Sequence, residues 1–273
     1  RHWIDELGID GLFINGKQAE FFSMSVPERK RQLEVVLEEV GDRCGTMFSC
    51  SDENLDTVLE LGRYAQNLGA QWIIVHTPPL YFHTSVDAVL LEYYRYLSES
   101  LDIGIALWHQ PDYGYVVEPE TVARIAELPN VVAIKYSVDR ARYAELTERA
   151  GDRLIVSTSS EDAWLDNIID LDWQVYLCST PPFLMQTAID RRMRDYTDLA
   201  FAGDLEGARA VRDSLDPVRD ALKATRPADK PQAQQKYWQS LLGQCGGTVR
   251  RPLLDLDEVE REQVRAAFEQ CGL

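Results

Sequence analysis

Seven short apolar runs punctuate the first two-thirds of the chain, at residues 10–15, 46–50, 72–77, 104–110, 131–137, 153–159 and 174–180. Each has the length of a strand, and most are nearly continuous in apolar residues, as strands buried on both faces are. The segments between them carry helical spacing. Residues 54–68 place Leu55, Val58, Leu59, Leu61 and Tyr64 near one face, and residues 119–128 open with Pro-Glu, which suits a first helical turn. Strand alternating with helix implies a parallel sheet covered by helices.

Two architectures share that pattern, a closed barrel and an open doubly wound sheet. No G-x-G-x-x-G follows any run, so the usual dinucleotide signature is missing. Polar or reactive residues recur at the C-terminal ends of the runs, namely Asn15, Cys50, His76, His109, Lys135, Ser157 and Ser179. A (β/α)8 barrel gathers its chemistry at that end. The expected fold is therefore α/β, a (β/α)8 TIM barrel with a C-terminal helical extension. Only seven runs are visible and the chain opens in a helix-like segment, so the first barrel strand is expected to be missing from this sequence. Residues 1–181 would supply strands two to eight. Residues 182–273 would supply the closing barrel helix and a helical region, with helices expected over 182–202, 204–224, 233–242 and 256–271.

One residue stands out from its run. Lys135 interrupts Val131-Val-Ala-Ile-Lys-Tyr-Ser137. An ammonium buried in a strand is costly unless paired or neutralised. Desolvation lowers a lysine's pKa, and a neutral amine can attack a carbonyl to form a Schiff base. The alternative is a structural ion pair with a barrel carboxylate.

Composition narrows the function. Hydrophobic residues make up 45% of the chain, enough for a sizeable core, and no apolar run reaches membrane-spanning length. A formal charge of −17 argues against nucleic acid, and a small anionic substrate would need a locally positive site. The five cysteines, Cys44, Cys50, Cys178, Cys245 and Cys271, show no C-x-x-C spacing, so neither a disulfide scaffold nor structural zinc is expected, and reduced thiols suggest the cytoplasm. No cluster of acidic and histidine ligands marks the run ends, which argues against a metal-dependent aldolase; no cofactor is expected.

The chain resembles the dihydrodipicolinate synthase / N-acetylneuraminate lyase family of Schiff-base aldolase barrels, as a divergent member. The resemblance rests on Gly16-Lys17-Gln18-Ala19-Glu20 in place of the family's G-T/S-T-G-E loop, Ser25-Val-Pro-Glu-Arg opening the next helix, and His76-Thr77-Pro78-Pro79. It continues with Trp108-His109-Gln110-Pro111 where the family has Y-N-x-P, Val132-Ala133-Ile134-Lys135 in place of G-I/L-K, and Gly203-Asp204-Leu205-Glu206-Gly207-Ala208-Arg209. It implies imine chemistry at Lys135 on a 2-oxo acid such as pyruvate, with an aldehyde as the possible second substrate. It also implies a homodimer or homotetramer, with Tyr81-Phe82 in the loop that reaches a neighbouring subunit. Glu20 matches a mainly structural carboxylate.

The departures bear on mechanism. The family's proton-shuttling tyrosine is replaced by Trp108, whose indole N–H can only donate. The hydroxyl pair that binds the substrate carboxylate is replaced by Lys17 and Gln18. An acid–base group must come from elsewhere. His109 and Tyr113 are candidate catalytic residues. His109 follows Trp108, and strand alternation would turn it toward the helices. Lys17, Gln18, Trp108, His76, Tyr81, Ser157 and Cys178 are candidate substrate contacts, and Phe48 would add to an aromatic lining. Each has a plainer reading: a strand–helix histidine, a rim tyrosine, a solvated loop lysine, a small buried cysteine. The expected function is a carbon–carbon or carbon–oxygen lyase. The alternative is a non-catalytic barrel that lost the chemistry and serves as a binding or partner subunit.

Overall fold

A computed structural model describes residues 1–80 and 86–273. Six of the seven runs form strands: β1 (Gly11–Ile14), β2 (Gly45–Ser49), β3 (Trp72–His76), β4 (Gly104–His109), β5 (Val131–Tyr136) and β6 (Ile155–Ser157). They make one sheet, every pairing parallel, in the order β1-β2-β3-β4-β5-β6. Spatial order that follows chain order is the winding of a (β/α) barrel, whereas a doubly wound sheet reverses order at a switch point. The seventh run does not join the ladder. Its contacts to β6 and the residues after it run through side chains: the Leu177 N–H donates to Ser157 Oγ at 2.8 Å and the Tyr176 hydroxyl to the Ser159 carbonyl at 3.0 Å.

Helices connect the strands, α1 (Val26–Val40), α2 (Leu55–Asn67), α3 (Val86–Ser100), α4 (Pro119–Ile125) and α5 (Arg140–Ala150), and α6 (Trp164–Leu171) follows β6. Their starts are written in the sequence. Ser25 and Glu28 form a reciprocal capping box ahead of α1, Asn54 accepts from the Asp56 N–H at α2, and Asp139 accepts from the Arg142 N–H at α5.

The chain divides into two compact units. One holds the sheet and comprises Gly11–Ser160 and Asp170–Leu177. The side chains of its strands divide by parity. Phe13, Met47, Ile74, Ala106, Trp108 and Ala133 pack on one face of the sheet. The fully buried Phe48, Ile73, Ile105 and Ile134 belong to the opposite face.

The other unit comprises Arg1–Asp10, Glu161–Ile169 and Cys178–Leu273. It carries α7 (Pro181–Leu184), α8 (Arg192–Phe201), α9 (Leu205–Asp213), α10 (Asp216–Ala224), α11 (Pro231–Leu241) and α12 (Glu258–Gln270). Two helices expected to be continuous are broken. The 182–202 segment is interrupted where Thr187 and Asp190 close a turn on each other, the Asp190 N–H donating to Thr187 Oγ1 at 3.0 Å and the Thr187 N–H to the Asp190 carbonyl at 2.8 Å. The 204–224 segment restarts at Asp216, with Pro217, which cannot continue a preceding helix, in the first turn. The core of this unit includes Trp238, fully buried, whose Nε1 donates to the Leu184 carbonyl at 2.9 Å and whose ring meets Phe268 edge-on at 5.1 Å. Glu161 is also buried there, and it accepts from the Tyr196 hydroxyl at 2.6 Å and from Arg219 at 2.5 and 2.8 Å.

Candidate active site

Strand register draws four predicted residues into one row. His76 of β3 is level with Trp108 of β4, Trp108 with Lys135 of β5, and Lys135 with Ser157 of β6. In a parallel sheet, level residues point to the same side. The row therefore sits directly above the layer of Ile74, Ala106 and Ala133, at the C-terminal end of the sheet. Lys135 is 2% exposed, with Nζ 5.2 Å from the centroid of the Phe13 ring and 5.7 Å from that of Trp108. Trp108 is likewise buried, stacks edge-on to Phe13 and His76 at 5.2 and 4.9 Å, and its Nε1 has no hydrogen-bond partner among the described residues.

The loop after β1 enters this site through two residues in the left-handed region, Asn15 at φ 57° and Glu20 at φ 61°. The tight turn between them presents Lys17 and Gln18. Lys17 Nζ donates to Asp112 Oδ2 at 2.6 Å, and Gln110 Nε2 donates to the same oxygen. Burial pushes the Asp112 carboxyl up, but Lys17 and Gln110 together outweigh it and hold it below the ordinary carboxylate value. Nε2 of His76 lies 3.8 Å from Asp112 Oδ2. Nδ1 of His76 is 2.7 Å from the Thr77 carbonyl and so carries the donated proton, which leaves Nε2 as the basic atom. Burial lowers the His76 pKa, and the neighbouring Asp112 opposes this only in part. Tyr113, on the turn after β4, places its ring 5.1 Å from that of His76.

His109 occupies a different environment. Alternation along β4 turns it to the opposite face, between the rings of Tyr115 and Tyr136. Both its nitrogens are engaged: Nε2 accepts from the Val117 N–H at 3.2 Å, and Nδ1 lies 2.9 Å from Thr77 Oγ1. Its burial, reinforced by His76, drops its pKa to about 4. The structure thus does not bring His109 to Lys135. Phe48 also lies off the site, fully buried one register position away from the face that carries Ile74. Phe13 and Phe21 supply the aromatic wall instead, Phe21 lying 6.3 Å from Trp108. Ser157 is fully buried in the row, with its hydroxyl taking the Leu177 N–H. Cys178 belongs to the helical unit, and Tyr81 lies outside the described residues.

Two contributors were not anticipated. Asp112 was visible only as an acidic residue just past a strand end. Arg29 of α1 is 2% exposed, donates from Nη2 to the Ser49 and Ser51 carbonyls at 3.0 Å each, and so fixes the end of β2. Ser51 Oγ in turn accepts the backbone N–H of His76 at 2.9 Å. Among the described residues no group of three or more His, Cys, Asp or Glu is placed to hold a metal, and no helix is long and apolar enough to cross a membrane. A cavity of about 500 Å³ in the helical unit is lined by residues including His2, Gln186, Ile189 and Gln244, and holds none of the predicted site residues.

The sequence model of the Dihydrodipicolinate synthetase family matches residues 1–271. The chain belongs to this family. Among its relatives is a 4-hydroxy-tetrahydrodipicolinate synthase of Thermotoga petrophila, 28% identical over 98% of this chain and 89% of that protein. Another of the same name, from Pelobacter propionicus, is 26% identical over the same shares. The solved dihydrodipicolinate synthase of Thermotoga maritima superposes with a TM-score of 0.84 at 25% identity, covering 99% of this chain and 90% of that one. A prophage protein of the family from E. coli K12, solved in complex with pyruvate, superposes with a TM-score of 0.86 at 23% identity over 99% of this chain and 91% of that one, a likeness of fold. The strand-end row of this family member carries His76, Trp108, Lys135 and Ser157, with Lys17 and Gln18 on the loop after β1.

Proposed function

We propose that this member of the family is a Schiff-base-forming lyase of aldolase or dehydratase type, acting on a 2-oxo acid such as pyruvate or a pyruvate-derived adduct through Lys135. The observation that carries the reading is the burial of Lys135 in the strand-end row, with Nζ over the rings of Phe13 and Trp108. Burial favours the neutral amine that attacks a carbonyl, and aromatic faces favour the iminium cation that follows at close range. The iminium is the electron sink that lets a carbon–carbon or carbon–oxygen bond break at the neighbouring carbon. Lys17 is the local positive group that a carboxylate needs in a chain of net charge −17, and Gln18 is its neutral neighbour in the same turn. Tyr113 and Ser157 complete the lining. Trp108 shapes the site and passes no proton.

The second reading, a non-catalytic homologue acting as a binding or partner subunit, draws on the same Trp108, because the residue that carries protons in the family is gone. One experiment separates the two. Incubation with a panel of 2-oxo acids followed by borohydride reduction gives a covalent mass adduct if the chain forms imines. No adduct with any acid, in a protein that binds them, favours the second reading. The assembly proposed with the enzymatic reading is a homodimer or homotetramer, which sedimentation equilibrium checks directly.

A further inference from the structure

The row at the sheet's end leaves Trp108 unable to move a proton, yet imine chemistry needs one moved twice. One group in the row has a free basic atom held in a fixed direction. His76 is 8% exposed, its Nδ1 is committed to the Thr77 carbonyl, its backbone N–H is held by Ser51, and its ring lies against the same indole that Lys135 Nζ approaches. Asp112, 3.8 Å from Nε2, is considerably more exposed and stands at the solvent side of the buried imidazole. Resting on the imine reading above, we propose that His76 is the catalytic acid–base of this site, replacing the family's tyrosine, and that Asp112 is its positioning residue.

The steps balance as follows. Lys135, as the neutral amine, adds to the ketone of the 2-oxo acid; one proton taken up from solvent and loss of water give the iminium. Nε2 of His76 takes a proton from the carbon next to the iminium carbon. That C–H electron pair becomes the enamine double bond, and the iminium charge passes to the imidazole. The enamine carbon then attacks an aldehyde, and the imidazolium returns its proton to the new alkoxide. Hydrolysis by water frees the product and the lysine. In the cleavage direction the same imidazole removes the hydroxyl proton and returns it to the enamine carbon.

Asp112 faces the protonated ring and stabilises it. Among the described residues, the ionisable groups around His76 are Lys17 from the β1 loop, Asp112 and Tyr113 from the turn after β4, His109 from β4 and, across Trp108, Lys135 from β5. Of these, Asp112 raises and Lys17 lowers the affinity of His76 for a proton. A base must be neutral to act, so proton abstraction rises with pH through the imidazole ionisation, below the ordinary value near 6.5, and is flat at neutral pH.

The test is exchange of the pyruvate methyl protons in D2O, followed by proton NMR, on the full chain, with borohydride adduct yield measured alongside. His76→Asn is the decisive variant, since its amide keeps a donor for the Thr77 carbonyl and lacks the Nε2 base. The expected result is an undiminished adduct with exchange slowed about 10²–10⁴-fold, restored in part by added imidazole in His76→Ala. Exchange within about threefold of wild type in a variant that still traps pyruvate overturns the role of His76 and leaves the imine intact. Failure of the wild type to trap any 2-oxo acid removes the imine reading and this proposal with it. Should the variants not fold, the wild-type profile at saturating pyruvate, where imine formation is complete, decides: a rate still climbing above pH 8 contradicts an imidazole base. Asp112→Asn is expected to move the rising limb to lower pH, and an unmoved limb excludes Asp112 as the positioning residue.

Discussion

Arg29→Ala removes the clamp beneath the site, and its cost follows from the geometry. The guanidinium is 2% exposed, makes two 3.0 Å bonds to the carbonyls of Ser49 and Ser51, lies 3.3 Å from Asp52, and stands 5.3 Å from the centre of the Phe21 ring. Hydrogen bonds from a charged donor are worth about 1.5–3 kcal/mol each, so the two carbonyls account for about 3–6 kcal/mol. The Asp52 contact, with a half-buried carboxylate, adds at most about 1 kcal/mol, and the ring contact about 0.5–2 kcal/mol. Against this stands the desolvation of the guanidinium itself, the dominant influence that lowers its pKa and a cost the alanine variant no longer carries. Two carbonyls left without their donor cost about 1–3 kcal/mol each, so a net loss of about 2–5 kcal/mol is expected. Urea unfolding followed by circular dichroism reads it as a lower midpoint at unchanged slope. Because Ser51 also holds the His76 backbone, exchange of pyruvate protons should slow in the folded variant as well. A loss below about 1 kcal/mol would refute the reasoning, since it would mean water satisfies both carbonyls as well as Arg29 does.

His109 is neutral in the folded protein, with its pKa dropped to about 4, while in the unfolded chain it protonates near 6.5; stability is complete above 6.5 and drains away as pH falls toward 4, by about 3 kcal/mol for this group. His109→Gln should flatten that fall in a series of urea melts between pH 7 and pH 5, and an unchanged slope would contradict the assignment. Trp108→Phe sets lost packing against the removal of a buried N–H that has no partner among the described residues, whose burial costs about 1–3 kcal/mol, so a net loss under about 2 kcal/mol is expected and one above about 4 kcal/mol would show the indole to be hydrogen-bonded.

Much of the fold was legible because burial on both faces writes itself as continuous apolar runs. Six of them became strands in chain order, and the helical spacing over 54–68 and the opening Ser25-Val-Pro-Glu-Arg met α2 and α1. The seventh run was apolar enough for a strand, yet it meets β6 through hydroxyl groups, a distinction hydrophobicity does not carry. Pro217 was a stop signal in plain view, overridden by the helical spacing on either side. At the site, the interruption of an apolar strand by Lys135 was the strong signal, and alternation correctly warned that His109 and Trp108 face opposite ways. Phe48 was misplaced because the face a strand residue occupies depends on register against its neighbours, and a shift of one position exchanges the faces. Asp112 was missed because it acts from a three-residue turn, where no periodicity marks position and only the folded loop brings a carboxylate to His76 and Lys17.

The most direct test of the central claim is where the reduced adduct sits. After trapping with pyruvate and borohydride, proteolysis and peptide mass mapping should place the modification on the peptide that contains Lys135. It should be absent from the peptide with Lys17, and Lys135→Ala should abolish it. An adduct on Lys17, labelling scattered over exposed lysines, or an adduct that survives Lys135→Ala would contradict the account.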